Sequence, residues 1–210
     1  MATDTPRQLP NPTQLSDASP YLPPIEKPKG LRLKFFYWFM RRYFGKAPGW
    51  LTVGGARMPL AYTSWGGKVA KLNKKLELSQ ETMRLVRARV DSLNGCTWCM
   101  DAGRWYALEK APDGVEKLDA VHEYQTSPLF TDKERAALDF ATELTEHKHV
   151  SPDTFAALSR PYSEREICEL VWVVATNHLF NLNNLGLNIR SDGLCELSAG
   201  ARRNGVQAGR

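Results

Sequence analysis

Helix-start signals, each followed by apolar residues at helical spacing, constrain the fold of this chain more than any other feature. Thr131-Asp132-Lys133-Glu134 and Ser163-Glu164-Arg165-Glu166 are capping boxes, in which the first hydroxyl and the last carboxylate bind backbone N–H groups that a helix start leaves unpaired. Ser151-Pro152 is a third start signal, because proline fits the first turn of a helix. The sequence contains no alternation typical of strands, no hairpin turn pair and no long-period repeat. These patterns predict an all-α fold.

The same spacing extends through the middle of the chain. We expect one helix to begin at Leu78-Ser79 and to end at Asn94-Gly95, since both of these last residues tolerate a left-handed backbone. The next helix begins at the Cys96–Cys99 segment and ends before Pro112. Together with the later helices they predict one compact multi-helix domain over residues 50–197.

Segments of unusual composition flank this domain. Residues 1–30 carry seven prolines, which block helix and sheet alike, and predict a disordered or extended N-terminal arm. Residues 31–49 are dense in aromatic side chains with arginine and lysine between them. This segment either packs onto the domain or a neighbouring subunit, or lies as an amphipathic helix on a membrane surface. Packing is favoured because the apolar residues surround the helix instead of forming one stripe. Residues 198–210 are expected to form a flexible tail.

The composition is that of an ordinary globular protein, with 42% apolar and 24% charged residues among 210. The net charge of +5 is modest and scattered, so no nucleic-acid partner is expected. No apolar run reaches the roughly 20 residues of a membrane span, and no secretory signal is recognisable. A cytoplasmic location is therefore expected, and there a close cysteine pair more often indicates catalysis or metal binding than a structural disulfide.

Cys96-Thr97-Trp98-Cys99 is the sharpest chemical signal in the sequence. Two cysteines on a first helical turn bring their sulfurs within bonding distance, and the partial positive charge of the helix N-terminus favours the thiolate. Half of a zinc site is an alternative, but Cys168 and Cys195 stand alone, so no metal is expected. A third possibility is a chance pair of small apolar residues in the core. The pattern favours thiol–disulfide redox chemistry without a bound cofactor.

The stretch from Arg89 to Asp101, which contains Asn94-Gly95 and both cysteines, resembles the signature of the alkylhydroperoxidase-D-like (AhpD-like), carboxymuconolactone decarboxylase family. The resemblance covers about residues 50–190. It implies a homo-oligomer, often a trimer or hexamer. It also implies that Cys99 meets the peroxide and becomes the sulfenic acid, while Cys96 assists and then closes the disulfide.

Two positions depart from the peroxidase members of that family. Their histidine, four residues after the second cysteine, is Gly103 here, and their glutamate, twelve residues before the first cysteine, is Arg84. The proton relay that these two side chains form is therefore missing. We interpret Arg84 as a possible catalytic replacement whose charge stabilises a thiolate. The alternative is a solvated helix residue that pairs with Glu81.

Four further residues are candidates for the substrate pocket. Asn177 and Asn181 share a face of the most apolar helix, and His178 lies between them. If that helix borders the cysteines, all three can line the pocket, although a hydrogen-bonded core histidine or a subunit contact is the favoured interpretation of His178. Trp98, between the cysteines, can form a wall of the pocket.

The predicted function is a thiol-dependent peroxidase or disulfide oxidoreductase that acts on a hydroperoxide or small disulfide. A thiol reductant protein, which the sequence does not identify, would return the electrons. Two alternatives stay open: an acid/base enzyme like carboxymuconolactone decarboxylase, with His178 as its histidine candidate, and a non-catalytic oligomeric redox sensor.

Overall fold

A computed structural model describes residues 19–196 as helices joined by short turns, with no β-strand in that range. The all-α fold predicted from the sequence is therefore confirmed. The α-helices, in chain order, are α1 (Leu31–Phe44), α2 (Trp65–Asn73), α3 (Gln80–Asn94), α4 (Thr97–Lys110), α5 (Val115–Asp119), α6 (Asp132–His147), α7 (Pro152–Ser159) and α8 (Glu164–Leu185). Two π-helical turns lie at Leu51–Gly55 and Leu60–Ser64, and two 3-10 turns at Pro112–Gly114 and Val121–Glu123.

Helix α3 is the central element, and it packs against α6 and α8. Its buried side carries Met83, Val86 and Val90, which join one core cluster with Phe140 of α6 and Val173 of α8. Every one of these side chains is at most 2% exposed. Because each large apolar side chain contributes roughly 1.5–3 kcal/mol when fully buried, this cluster fixes α3 and α8 relative to each other.

The start signals read from the sequence are present as hydrogen bonds. Thr131 and Ser163 both form complete capping boxes, at the starts of α6 and α8. The Ser151 side chain accepts a hydrogen bond from the N–H of Thr154, with Pro152 in the first turn of α7. Such caps contribute about 1 kcal/mol each, and they set where the long helices begin.

Residues 19–30 run along the domain without regular structure. The N–H of Tyr21 donates to the Leu187 carbonyl at 3.1 Å, and the N–H of Ile25 donates to the Thr52 carbonyl at 2.9 Å. The remainder of the predicted N-terminal arm, residues 1–18, and the predicted tail lie outside the described residues.

Helix α1 forms the first part of the aromatic-rich segment 31–49 and contacts the domain with one side. The Tyr37 side chain is 1% exposed, and its hydroxyl donates to the Ile25 carbonyl at 2.8 Å. At the end of α1, the Phe44 ring lies 6.3 Å from that of Trp98 and 5.0 Å from that of Trp105, centroid to centroid. These contacts join α1 to α4, the helix that begins at the cysteine pair. Within residues 19–196, no helix combines the length and apolarity that crossing a bilayer requires.

Candidate redox site

The turn between α3 and α4 holds the two cysteines together. Gly95 ends α3 in the left-handed conformation, with φ 68°, and the N–H of Cys96 then donates to the Asp91 carbonyl at 3.0 Å. Cys96 is the N-cap of α4, and Cys99 lies in the first turn of that helix. Their Cα atoms are 5.3 Å apart and their sulfurs are bonded in a disulfide. The expectation that this spacing brings the sulfurs within bonding distance is confirmed.

The two cysteine residues differ in exposure. Cys96 is 0% exposed, whereas Cys99 is partly exposed. A substrate that arrives from solvent therefore meets Cys99 first.

Two amide groups of α8 point at the disulfide. The Nδ2 atom of Asn181 lies 3.1 Å from the Cys99 sulfur. The Nδ2 atom of Asn184 lies 3.4 Å from the Cys99 sulfur and 3.7 Å from the Cys96 sulfur. Asn181 is 0% exposed and Asn184 is 4% exposed, so both donors are fixed in a place that water scarcely reaches. Donors in such a setting stabilise negative charge on sulfur once the disulfide is reduced.

Asp91 of α3 lies behind these amides and is 5% exposed. Its Oδ1 atom accepts hydrogen bonds from Asn181 Nδ2 at 2.6 Å and from Asn177 Nδ2 at 2.7 Å. Burial raises the pKa of Asp91 to about 6, although the two amide bonds and the charge of Arg87 act against that rise. Asn181 therefore donates from one nitrogen to both a buried carboxyl group and the Cys99 sulfur.

Polar contacts continue from this site into the core. Asn94 Nδ2 donates to Asn181 Oδ1 at 2.8 Å and lies 3.2 Å from Nδ1 of His178. The other ring nitrogen of His178, Nε2, lies 3.2 Å from the Thr145 hydroxyl. Burial lowers the pKa of His178, and the charge of Lys148 adds to that effect. Because both of its ring nitrogens lie within hydrogen-bonding distance of protein groups, His178 fits a structural role in this network.

Arg84 lies far from the cysteines. Its Nη2 atom is 3.7 Å from the position that a Cβ on Gly114 would occupy, in the turn that follows α4. Cys96 lies at the start of α4, and Gly114 lies beyond its end. The length of that helix, about 20 Å, therefore separates Cys96 from the end at which the Arg84 side chain lies. Glu81, the other partner considered for Arg84, instead accepts a hydrogen bond from Lys117 at 2.9 Å. The catalytic role of Arg84 stays a prediction that none of these contacts supports.

Gly103, which stands where the family peroxidases have histidine, leaves open space. A Cβ added there would meet no neighbouring atom within 4 Å, so the position is not filled by another side chain. Among the described residues, no group of three or more histidines, cysteines and acidic residues could hold a metal ion.

Trp98 contacts both the N-terminal segments and the segment that follows α8. Its Nε1 atom donates to Asp192 Oδ2 at 2.6 Å, and its ring lies edge-on to those of Phe44 and Trp50. Asp192 also accepts from the Gly49 N–H at 2.9 Å. Trp98 therefore ties the cysteine turn to α1 and to the segment after α8.

Of the residues predicted for the site, the structure brings Cys96, Cys99 and Asn181 into direct contact, and Asn177 is joined to them through Asp91. Asp91 and Asn184 were not predicted. Asn184 continues the spacing of Asn177 and Asn181 on one face of α8, so the helical period could have found it. Asp91 lies about 100° around α3 from Val90, on the side of Arg84 and Arg87, so helical spacing provided no signal that it is buried.

No protein-family model matches the chain. It is 29% identical over 182 residues to the uncharacterized protein YnjA of Escherichia coli K12, a match that covers 84% of this chain and 96% of that protein. The fold is similar to that of a cysteine-to-alanine variant of the debrominase Bmp8 in complex with 2,3,4-tribromopyrrole, with a TM-score of 0.68, 22% identity, and 84% and 96% of the two chains covered. A peroxidase-related protein of Ralstonia eutropha JMP134 with an alkylhydroperoxidase AhpD core gives a TM-score of 0.59 at 18% identity, over 90% and 93% of the two chains. These likenesses show that the chain has the all-α fold of the AhpD-like, carboxymuconolactone decarboxylase proteins, as the resemblance of its cysteine segment predicted.

Proposed function

We propose that this protein is a thiol-dependent peroxidase or disulfide oxidoreductase in which Cys99 attacks a hydroperoxide and Cys96 closes the disulfide. The observation that carries the proposal is the aim of two buried amide donors, Asn181 and Asn184, at the sulfur of Cys99, the partly exposed residue of the cysteine pair. This asymmetry between the sulfurs matches the order of attack that the family resemblance implies.

The reaction balances with the groups present and one external reductant. The Cys99 thiolate attacks one oxygen of the hydroperoxide, the O–O bond breaks, and a proton and the remaining fragment leave as alcohol, so that Cys99 becomes a sulfenic acid. Cys96 then attacks the Cys99 sulfur, gives up its own proton, and displaces the oxygen as water. The disulfide that forms is reduced by two electrons and two protons from a dithiol partner.

The amide donors stabilise the thiolate that the proton relay of the family peroxidases would generate, although they do not replace the relay itself. A hydrogen bond to a charged group contributes roughly 1.5–3 kcal/mol, and two of them on one thiolate favour its ionisation strongly. The N-terminus of α4 adds its partial positive charge at the same place. Neither device moves a proton, so protons in this scheme come from water or from Asp91.

Asp91 opposes and regulates this ionisation. An ionised carboxylate that shares the Asn181 amide with Cys99 disfavours the thiolate, because two like charges are then close together. The protonated carboxyl removes that repulsion. Since the pKa of Asp91 is raised to about 6, the charge beside Cys99 changes as the pH passes through that value.

A homo-oligomer, a trimer or hexamer, in the cytoplasm belongs to the same proposal. Val171, Leu179 and Leu182 are 44%, 39% and 63% exposed, and their spacing puts them on one face of α8. An apolar stripe of this kind is suited to contact with a second copy of the chain.

Thiol counting combined with peptide mapping tests the proposal. The fully reduced protein receives one equivalent of hydrogen peroxide, and free thiols are titrated before and after. We expect the rapid loss of two thiols and a Cys96–Cys99 bond in the digest. A Cys168→Ser variant serves as the matched control, because Cys168 is an exposed free thiol and its replacement should leave the loss unchanged. Slow oxidation spread over all four cysteines would refute the proposal and favour a non-catalytic protein.

Reductive debromination is a second candidate, favoured by the fold similarity to Bmp8, in which the replaced residue of the tribromopyrrole complex is a cysteine. This reaction balances with the two thiols as the reductant. The carbon–bromine bond breaks, the two thiols become a disulfide, and the products are the ring with hydrogen in place of bromine and hydrogen bromide. Incubation of the reduced protein with 2,3,4-tribromopyrrole distinguishes the two, since only this activity releases bromide in proportion to the thiols lost. An acid/base activity has less support, because both ring nitrogens of His178 lie within hydrogen-bonding distance of protein groups.

A further inference from the structure

Helix α1 has two apolar sides, and the domain covers only one of them. Tyr37 is buried, and Leu33, Phe36, Met40 and Phe44 are partly buried on the same side. On the opposite side, Leu31, Phe35, Trp38 and Phe39 are 85%, 65%, 60% and 45% exposed. The apolar residues that surround the helix in sequence are thus divided between a packed face and an exposed one.

The exposed side chains form one stripe with basic edges. At 100° per residue, Leu31, Phe35, Trp38 and Phe39 fall within an arc of about 100°. Lys34 and Arg41 follow on one edge of that arc and Arg32 on the other, Arg42 closes the arc at its C-terminal end beyond Phe39, and all four basic residues are exposed. Helices that lie in the surface of a bilayer show this arrangement, with aromatic and aliphatic side chains between cationic ones.

The charge of the surrounding segment is one-sided. Residues 27–76 contain 12 of the 28 lysines and arginines of the chain and none of its 23 acidic residues. The same segment holds nine of the eighteen large apolar side chains that are exposed among residues 19–196. The modest net charge of the whole chain therefore conceals a segment that is both strongly cationic and rich in exposed apolar groups.

The combination of positive charge and exposed apolar side chains distinguishes between the partners that could bind this stripe. A two-fold contact between the α1 helices of two copies would bring the cationic segments together and make them repel each other. Nucleic acid would satisfy the charge, but its phosphates offer no place for Leu31 and Phe35. An anionic lipid surface satisfies both, because its headgroups attract lysine and arginine while its acyl boundary takes up apolar side chains.

We propose that the exposed face of α1 docks onto the surface of an anionic phospholipid bilayer, with Phe35 and Trp38 inserted at the headgroup boundary and the flanking lysine and arginine side chains bound to phosphates. The docked helix lies in the plane of the interface and leaves the cysteine pair in the domain below it. This surface is independent of the thiol chemistry, and its test involves no redox readout.

Vesicle flotation of the full chain tests the proposal. Vesicles of phosphatidylcholine with about 30% phosphatidylglycerol are compared with vesicles of phosphatidylcholine alone. We expect binding to the anionic vesicles, little binding to the neutral ones, and release at high salt, because salt screens the headgroup attraction. Failure to float with the anionic vesicles at low salt would overturn the proposal.

Matched variants locate the contact. Phe35→Ser combined with Trp38→Ser should lower the partition coefficient at least about tenfold, since two large apolar groups no longer leave water. Phe155→Ser is the control, because Phe155 is 48% exposed on α7, outside the cationic segment, and its loss should leave binding unchanged. Equal binding by the double variant and the wild type would overturn the proposal.

Charge variants provide a second, independent reading if the apolar variant folds poorly. Lys34→Gln should lower binding to the anionic vesicles about fivefold, and Arg160→Gln at the end of α7 should not. The other occupants also have distinct signatures. A dimer that dissociates in the Phe35/Trp38 variant, with no vesicle binding, would assign the stripe to a second copy, and binding to duplex DNA without vesicle binding would assign it to nucleic acid. Either result would overturn the proposal.

Discussion

Replacement of Asp91 by asparagine should change the pH dependence of stability in a defined direction. The pKa of Asp91 is about 6 in the folded protein against an ordinary 3.8, because burial disfavours its charge. Between these two values the folded state binds more protons than the unfolded state, so the contribution of Asp91 to stability falls as the pH rises. From this group alone, the folded protein should be about 2 kcal/mol more stable at pH 4.5 than at pH 7.5. The asparagine side chain does not titrate, so the variant should lose that difference.

Urea unfolding of the oxidised wild type and the Asp91→Asn variant at both pH values measures this contribution. The quantity of interest is the difference between the two proteins, since all other titrating groups are common to both. The wild type should gain about 2 kcal/mol relative to the variant when the pH is lowered from 7.5 to 4.5.

Asp101→Asn is the control, because the pKa of Asp101 is shifted in the opposite direction to that of Asp91. Burial raises the pKa of Asp101, but hydrogen bonds from Leu194, Ser191 and Cys195 outweigh it and hold the pKa below its ordinary value. Its stabilisation is present above the unfolded-state pKa and is lost only as the pH falls below it, so wild type gains nothing over this variant at pH 4.5. Parallel stability profiles for the wild type and Asp91→Asn would refute the account of Asp91 as a carboxyl group that burial keeps protonated up to about pH 6.

Three further changes test neighbouring contacts. Asn181→Ala removes a donor 3.1 Å from the Cys99 sulfur, and alkylation of Cys99 at pH 7 should slow about tenfold; an unchanged rate would exclude the amide from thiolate stabilisation. Gly95→Ala should lower the free energy of unfolding in urea by about 1 kcal/mol. Gly95 has φ 68°, which strains an alanine backbone even though the added Cβ would meet no atom, and an unchanged free energy of unfolding would contradict this strain. Trp98→Phe removes the 2.6 Å bond to Asp192 and should lower stability by about 1 kcal/mol, and an unaltered midpoint would show that this bond does not hold the turn.

The helices could be predicted because their signals are local. Thr131 and Ser163 cap helices through residues three positions away, and Gly95 ends α3 through its own backbone freedom. The spacing of Cys96 and Cys99 likewise determines their proximity within one turn. Each of these features needs no knowledge of the rest of the chain.

The surroundings of the sulfurs depend on which face of α8 meets the α3–α4 turn, and that contact joins residues 82 to 90 positions apart. Asn181 was found from its helical spacing with Asn177, but Asp91 was not, because a single carboxylate on a helix gives no sign of its partners. Arg84 was aligned with the family glutamate by position alone, whereas its guanidinium lies at Gly114. The sequence also could not show that the domain covers only one side of α1.

Trapping of a sulfenic acid tests the central claim, that Cys99 is the sulfur that attacks. Reduced Cys96→Ser protein is treated with one equivalent of hydrogen peroxide in the presence of dimedone, and the adduct is located by peptide mass. The account predicts a dimedone adduct on Cys99, and none on Cys96 in the reciprocal Cys99→Ser variant. An adduct on Cys96 in that variant, or on Cys168 in preference to Cys99, would contradict it.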